Sequence, residues 1–340
     1  MSKVTVYVGL DYHKDSIQVC VMDSVGNILA NRSCPNHAEA VVALVAGHGQ
    51  DVRAAVEACS GAADLADELA TKPGGMINLA HPGYVARMKQ TPDKTDWADA
   101  RVLADLVRVG YLPRVWLAPA DVCQLRTLVR YRQQLVAQRR AITLRITALL
   151  RDARVVEPGA RWSRAWLAWL RSAPGLGSEA RWVIDCHLRE YDNIISLIAE
   201  AEQRLAAVTA DDPVVAQLRA LKGVGLITAA TIRAEVGRFD RFTTGKQLAK
   251  FCGLSPCNSS SGPRQADAGL IRAGNPQLRV TLIEAAHRLI RYDSRWAALA
   301  SRLRQAGKPM CVVVAAVANR WMRWLFHQVE GGAITLKVGA

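Results

Sequence analysis

The 340-residue sequence has no apolar window near the roughly 18–20 residues that a membrane-spanning helix requires. Its longest candidate, 311–318, is too short and reads as a buried helix. The N-terminus, Met1-Ser2-Lys3-Val4-Thr5-Val6, enters a strand pattern without an apolar leader, so a cytoplasmic location is expected. Eight cysteines stand at 20, 34, 59, 123, 186, 252, 257 and 311, and none forms a Cys-x-x-Cys pair. No histidine completes a zinc set around Cys252 and Cys257, so reduced, mostly buried thiols are expected. Acidic residues are scarce in one part of the chain only. Residues 1–113 hold 10 Lys/Arg and 13 Asp/Glu, a net of −3, whereas the rest hold 34 and 17, a net of +17. A body this basic points to a polyanion, with nucleic acid the leading choice over simple solubility charge.

Alternation is strong at the start. Val4, Val6, Val8 and Leu10 share one strand face, and Ile17, Val19 and Val21 repeat the pattern. Residues 23–27 read as a turn and 28–32 as a third strand. A helix is predicted over 37–46, a strand over 52–56, a helix over 62–70, a strand over 76–79 and a helix over 96–109. Three strands followed by alternating helices and strands predict a mixed-sheet α/β domain.

The proline-containing stretch 110–119 reads as a boundary. Beyond it, Leu128, Leu135, Ile142 and Leu149 recur every seven residues, the spacing of a coiled-coil or bundle seam. Arg126, Arg130, Arg132, Arg139, Arg140, Arg145, Arg151 and Arg154 lie along the same stretch, with Asp152 the one acid among them. Such a helix suits nucleic-acid backbone contact, with a solvated face as the alternative. Trp162, Trp166 and Trp169 stand at i, i+4, i+7, which favours core packing over base stacking. Another helix is predicted over 183–209, and Asp211-Asp212-Pro213 reads as a second boundary. The expected domains are therefore 1–113, 114–212 and 213–340.

Asp11 ends the first predicted strand and Glu57 the fourth, while Asp96 and Asp99 sit at i, i+3 near a helix start. Neighbouring first and fourth strands would bring Asp11 beside Glu57. Clustered carboxylates suit a hard divalent ion, and such ions stabilise the charge of phosphoryl transfer. Each residue also has a plainer reading, Asp96 as a helix cap and Asp99 as a partner of the helix dipole.

Near the C-terminus, Gly223 and Gly225 resemble a helix-hairpin-helix turn that brings backbone N–H groups to a phosphate, although such a pair often only joins two helices. Cys257-Asn258-Ser259-Ser260-Ser261-Gly262-Pro263 is a polar loop followed by Arg264, Arg272 and Arg279, with Gly274-Asn275-Pro276 between the last two. Arginines beside a serine would hold a phosphate and stabilise its charge. A serine-rich surface loop is the alternative.

Two sets of residues carry a family resemblance. Gly9-Leu10-Asp11-Tyr12-His13-Lys14, the strand end at Glu57, and Lys94-Thr95-Asp96-Trp97-Ala98-Asp99-Ala100 resemble the DEDD motif of RuvC-like insertion-sequence transposases, the IS110 group, and of the related Piv-type DNA invertases. Gly253-Leu254-Ser255-Pro256, Ser261-Gly262, Gly274-Asn275 with Leu278-Arg279, and Glu284-Ala285-Ala286 resemble that group's C-terminal transposase motif. Gly307-Lys308-Pro309 and the helix after it resemble the closing segment. The resemblance implies an RNase H-like N-terminal domain in which Asp11, Glu57, Asp96 and Asp99 bind Mg²⁺, with Mn²⁺ as a substitute. It implies a helical coiled-coil middle and a mainly α C-terminal domain. In the group, the serine before that glycine attacks DNA and becomes linked to a 5′ phosphate; here that position is Ser261, with Ser259 and Ser260 beside it. Further implications are a double-stranded DNA substrate, a structured non-coding bridge RNA as guide, a homo-dimer or tetramer that joins the two sites, and work at the bacterial nucleoid. Arg139, Arg140, Arg264, Arg272, Arg279, Gly223 and Gly225 are the expected nucleic-acid contacts. The rival readings are a Piv-like site-specific invertase, a RuvC-like metal nuclease, a sugar-kinase-like ATPase and a non-catalytic nucleic-acid binder.

Overall fold

Val6, Val8 and Leu10 are fully buried on one face of the first strand, and Gly9 is buried on the other. The computed structural model describes residues 4–72, 75–88, 95–258, 267–332 and 334. The chain forms two compact units, Met1–Ala118 and Pro119–Ala340.

The first unit contains β1 (Thr5–Tyr12), β2 (Ser16–Met22), β3 (Ile28–Pro35), α1 (Ala38–Val45), β4 (Asp51–Glu57), α2 (Ala62–Ala70), β5 (Gly75–Ala80), α3 (Pro82–Met88), α4 (Asp96–Arg108) and β6 (Arg114–Val115). The sheet runs β3-β2-β1-β4-β5-β6. β1, β2 and β3 pair antiparallel, as their short connections require, and β4 joins β1 in parallel after the α1 crossover. Alternation in the sequence predicts half-buried strands; both faces are covered instead. Val6, Val8, Leu10, Val19 and Val21 pack with Val41, Val45, Leu65 and Leu69 of α1 and α2. On the opposite face, Cys20 and Met22 pack with Ala100 and Ala104 of α4, and Tyr7 joins them. The small residues of α4 let it lie close to the sheet, and at Gly9 the helix backbone leaves no room for a side chain.

The second unit contains α5 (Ala120–Asp152), α6 (Arg164–Leu170), α7 (Ser178–Val208), α8 (Pro213–Arg219), α9 (Leu226–Val236), α10 (Gly245–Phe251), β7 (Pro256–Asn258), β8 (Asp267–Leu270), α11 (Pro276–Tyr292), α12 (Ser294–Gln305) and α13 (Met310–Glu330). At 1.5 Å per residue α5 is about 50 Å long. It pairs with α7 through Leu135, Ile142, Ile146 and Leu150 against Ile184, Leu188, Ile194 and Ile198. Leu125 and Val129 near the start of α5 cluster with Leu205 at the end of α7, so the two helices run antiparallel. The seven-residue seam holds at Leu135 and Ile142 and then drifts to Ile146 and Leu150, leaving Leu149 partly buried. A straight helix drifts about 20° per heptad in this way. Trp166 is buried against Trp162 and Trp169, so the tryptophans belong to the core.

α9 is buried on every side from Thr228 to Val236 and forms the axis of the C-terminal core. A fully enclosed helix is expected to be apolar all round. This one carries Arg233 and Glu235, and both are paired. Arg233 donates to Asp212 at 2.9 Å and to Asp121 at 3.0 Å. Arg130 donates through Nε and Nη2 to the two oxygens of Glu235, at 2.8 and 3.0 Å.

The cysteines differ from expectation. None of the eight is in a disulfide, but only Cys20 and Cys252 are buried, and Cys59, Cys123 and Cys311 are exposed. Among the described residues, no helix is long and apolar enough to cross a membrane.

Candidate functional site

In a strand, residues two apart share a face, so Tyr7, Gly9 and Asp11 all point toward α4. The β1–β4 register pairs Gly9 with Ala55 and Leu10 with Val56, so Asp11 follows the last paired residue of β1 and Glu57 ends β4. Thr95, not Asp96, caps α4: its hydroxyl accepts from the Ala98 amide at 3.2 Å. This corrects the plainer reading of Asp96 and places Asp96 and Asp99 in the first turn of α4. The positive end of the helix dipole favours both charges there. Asp99 is nearly buried, at 7 % exposure, and Asp96 is exposed.

His13 was not singled out from the sequence, yet it stands in the cluster. Its Nε2 lies 3.2 Å from Asp11 Oδ2 and 3.3 Å from Asp96 Oδ2. One ligand atom from each of Asp11, His13 and Asp96 falls within 4.8 Å of the others. Glu57 and Asp99 lie outside that tight group. Burial pushes the Asp11 carboxyl above its ordinary value; His13 pulls it down, and the charges of Asp99 and Asp96 push it up. Burial also raises the Cys59 thiol, and the charges of Glu57 and Asp11 add to that rise. The two strand ends and the start of α4 therefore share one negative field. Carboxylates withdrawn from water and crowded by their own charge are relieved by a proton or a cation. The oxygen donors with one imidazole nitrogen are a set that a divalent ion fits.

The second candidate region is the hairpin of β7 and β8, which pair antiparallel from Pro256 opposite Leu270 to Asn258 opposite Asp267. Ser261, with Ser259, Ser260 and Arg264, falls between these strands and outside the described residues. The base of the hairpin is tightly fixed. Gly253 and Gly274 have φ of +70° and +123°. A Cβ on Gly274 would stand 2.7 Å from the Gly253 backbone. The Ile271 amide donates to Ser255 O at 3.0 Å and the Asn275 amide to Phe251 O at 2.8 Å. Asn275 caps α11, its Oδ1 accepting from Gln277 and Leu278. Its Nδ2 donates to the buried Glu235 at 2.6 Å. Glu235 thus ties α5, α9 and the start of α11 together, an arrangement with no signal in local sequence.

The predicted nucleic-acid contacts separate into two groups. Arg279 is half-buried against Gly253 and donates to Ile271 O at 2.6 Å, so it braces the hairpin base. Arg126 and Arg130 turn to Ala234 O and Glu235, and Arg132 to Glu202. Arg140, Arg145 and Arg272 are exposed, and Arg139 is half-buried. Gly223, at φ +80°, and Gly225, the cap of α9, form the turn between α8 and α9.

Comparison with known proteins places both regions in one family. A family model described as a transposase, the DEDD type of IS110 elements, matches residues 8–154. A second, described as the transposase IS116/IS110/IS902 family, matches residues 215–301. The transposase for insertion sequence element IS1111A of Coxiella burnetii is 26 % identical over 326 residues, covering 93 % of this chain and 88 % of its own. A protein of Pseudomonas aeruginosa named "Probable family 20 transposase" is 28 % identical over 285 residues, 80 % of this chain and 82 % of its own. The transposase for element IS1328 of Yersinia enterocolitica is 23 % identical over 289 residues, 84 % of each chain. With the acidic cluster in the first matched segment and the hairpin in the second, the chain belongs to the IS110 family of insertion-sequence transposases.

Proposed function

We propose that this transposase cuts and rejoins the double-stranded DNA of its own element, with Ser261 as nucleophile and a divalent-metal centre held by Asp11, Glu57, Asp96 and Asp99. The observation that carries the metal centre is the seating of α4 on β1, which sets two carboxylates of a helix start above Asp11. When bound, the ion supplies Lewis-acid stabilisation of the charge that develops in phosphoryl transfer. Asp11 and Glu57 present oxygens from strand ends, and Asp96 and Asp99 present theirs from the first turn of α4. The N-terminal sheet order supports an RNase H-like reading of that domain. The expected division at 113 and 212 stands as part of the same proposal.

The excess of basic residues beyond 113 supports DNA as substrate and a structured guide RNA as partner. A dimer or tetramer that unites the two chemistries completes the reading. The fixed hairpin base supports Ser261 as attacker, because a nucleophile gains from a rigid support.

The deciding experiment incubates the protein with the element's DNA ends and Mg²⁺, with and without co-purified RNA, and isolates covalent protein–DNA adducts. A phosphoserine adduct mapping to Ser261, lost in Ser261→Ala and kept in Ser259→Ala and Ser260→Ala, is expected. Full strand cleavage by Ser261→Ala would leave a metal nuclease as the better reading.

A further inference from the structure

We infer that His13 is a protein ligand, through Nε2, of the divalent ion taken up by Asp11 and Asp96, and that its nitrogen shifts the site from Mg²⁺ toward first-row transition ions. The inference rests on reading the carboxylate cluster as a metal centre.

Geometry comes first. Two ligands at right angles on one ion, with bonds of about 2.1 Å, stand about 3.0 Å apart. His13 Nε2 is 3.2 Å from Asp11 Oδ2 and 3.3 Å from Asp96 Oδ2, so a small side-chain adjustment lets one ion reach all three atoms. The backbone of His13 is held on both sides. Its amide donates to Ser16 O at 2.9 Å across the β1–β2 turn. Its carbonyl accepts from Asn36 Nδ2 at 3.0 Å. The ring is therefore carried by a fixed turn and aimed between a strand end and a helix start. At 45 % side-chain exposure it binds an ion without a large desolvation cost and leaves room for water or a phosphate oxygen.

Donor chemistry comes second. Mg²⁺ takes oxygen ligands and keeps its waters, whereas imidazole nitrogen favours transition ions. Four carboxylates alone would make an all-oxygen site. One imidazole at the point where Asp11 and Asp96 converge makes it a mixed site.

Mn²⁺ is the probe, because pulsed electron paramagnetic resonance resolves the ¹⁴N coupling of an imidazole bound to it. Full-length protein loaded with Mn²⁺ is expected to show that coupling, and His13→Ala and His13→Gln to lose it while keeping the wild-type fold by circular dichroism. In titrations, His13→Ala is expected to weaken Mn²⁺ on the order of tenfold and Mg²⁺ by no more than about twofold. Mn²⁺ bound to the wild type without ¹⁴N coupling overturns the inference while the metal centre stands. Equal weakening of both ions overturns it too, because His13 would then act only as a hydrogen-bond partner of the carboxylates. Failure of the wild type to bind Mn²⁺ at all removes the metal centre and the inference with it.

Discussion

Gly9 and Ala100 meet with no room for a methyl group between them: a Cβ on Gly9 would fall onto the Ala100 carbonyl oxygen and the Ala104 amide nitrogen. Both obstacles are helix backbone, which cannot rotate aside. Gly9→Ala must therefore push α4 off β1. Overpacking costs about 1–3 kcal/mol in general, and a collision with backbone belongs at the upper end, about 3 kcal/mol. Denaturant unfolding is expected to show that loss, with weaker Mn²⁺ binding because Asp96 and Asp99 move away from Asp11. A variant as stable as the wild type would mean that α4 is not seated as described.

Asp11→Asn is expected to separate stability from function. The folded-state value of Asp11 lies above its unfolded value, so its ionised form opposes folding at neutral pH. That opposition is relieved as pH falls through the raised value. The metal-free variant should melt no lower than wild type at pH 7, and any advantage should shrink on acidification toward the carboxylate range. The rise in melting temperature that Mn²⁺ gives the wild type should disappear. A clear loss of metal-free stability at pH 7 would contradict this account.

Glu235→Ala leaves Arg130 and Asn275 facing a vacated, buried position. Removing one partner of a buried ion pair costs about 3–5 kcal/mol. Arg130 is half exposed and recovers some hydration, so a loss near about 3 kcal/mol is expected by chemical denaturation, and less for Glu235→Gln. Asn275→Ala removes a helix cap worth about 0.5–2 kcal/mol. The double variant should lose less than the sum of the single losses, and strict additivity would show that the two residues are not coupled.

Along α5, arginines of similar sequence context should behave differently. Arg140→Ala is expected to weaken binding to DNA or RNA uniformly and to lower the salt slope by about one unit. Arg132→Ala should leave the slope unchanged, because its guanidinium is engaged by Glu202. Fluorescence anisotropy across a salt series distinguishes them, and identical slopes would remove α5 from the binding surface.

Much of the first unit was legible because its signals are local. The period of two in Val6, Val8 and Leu10 marks β1, and 62–70 delimits α2 as the structure has it. Asp11 and Glu57 could be placed at strand ends for the same reason. Local signals do not state what covers a strand's second face, so the seating of α4 on Gly9 was not foreseen, nor was Thr95 as the cap. The arginines of α5 looked unpaired because Glu235 lies 105 positions from Arg130, and no window along the chain contains both. His13 stood inside a quoted motif without a role, since nothing in the sequence shows that its ring lies between Asp11 and Asp96.

Cys20 and Cys252 are both fully buried, one in each unit. Burial holds the Cys20 thiol up at about 11 and raises that of Cys252 further. Alkylating reagents attack the thiolate, so each residue stays silent until the structure around it opens. The exposed Cys311 supplies the reference. The protein therefore carries two built-in clocks, and the labelling rates at Cys20 and Cys252 time the opening of the sheet and of the helical body independently, with no foreign label introduced.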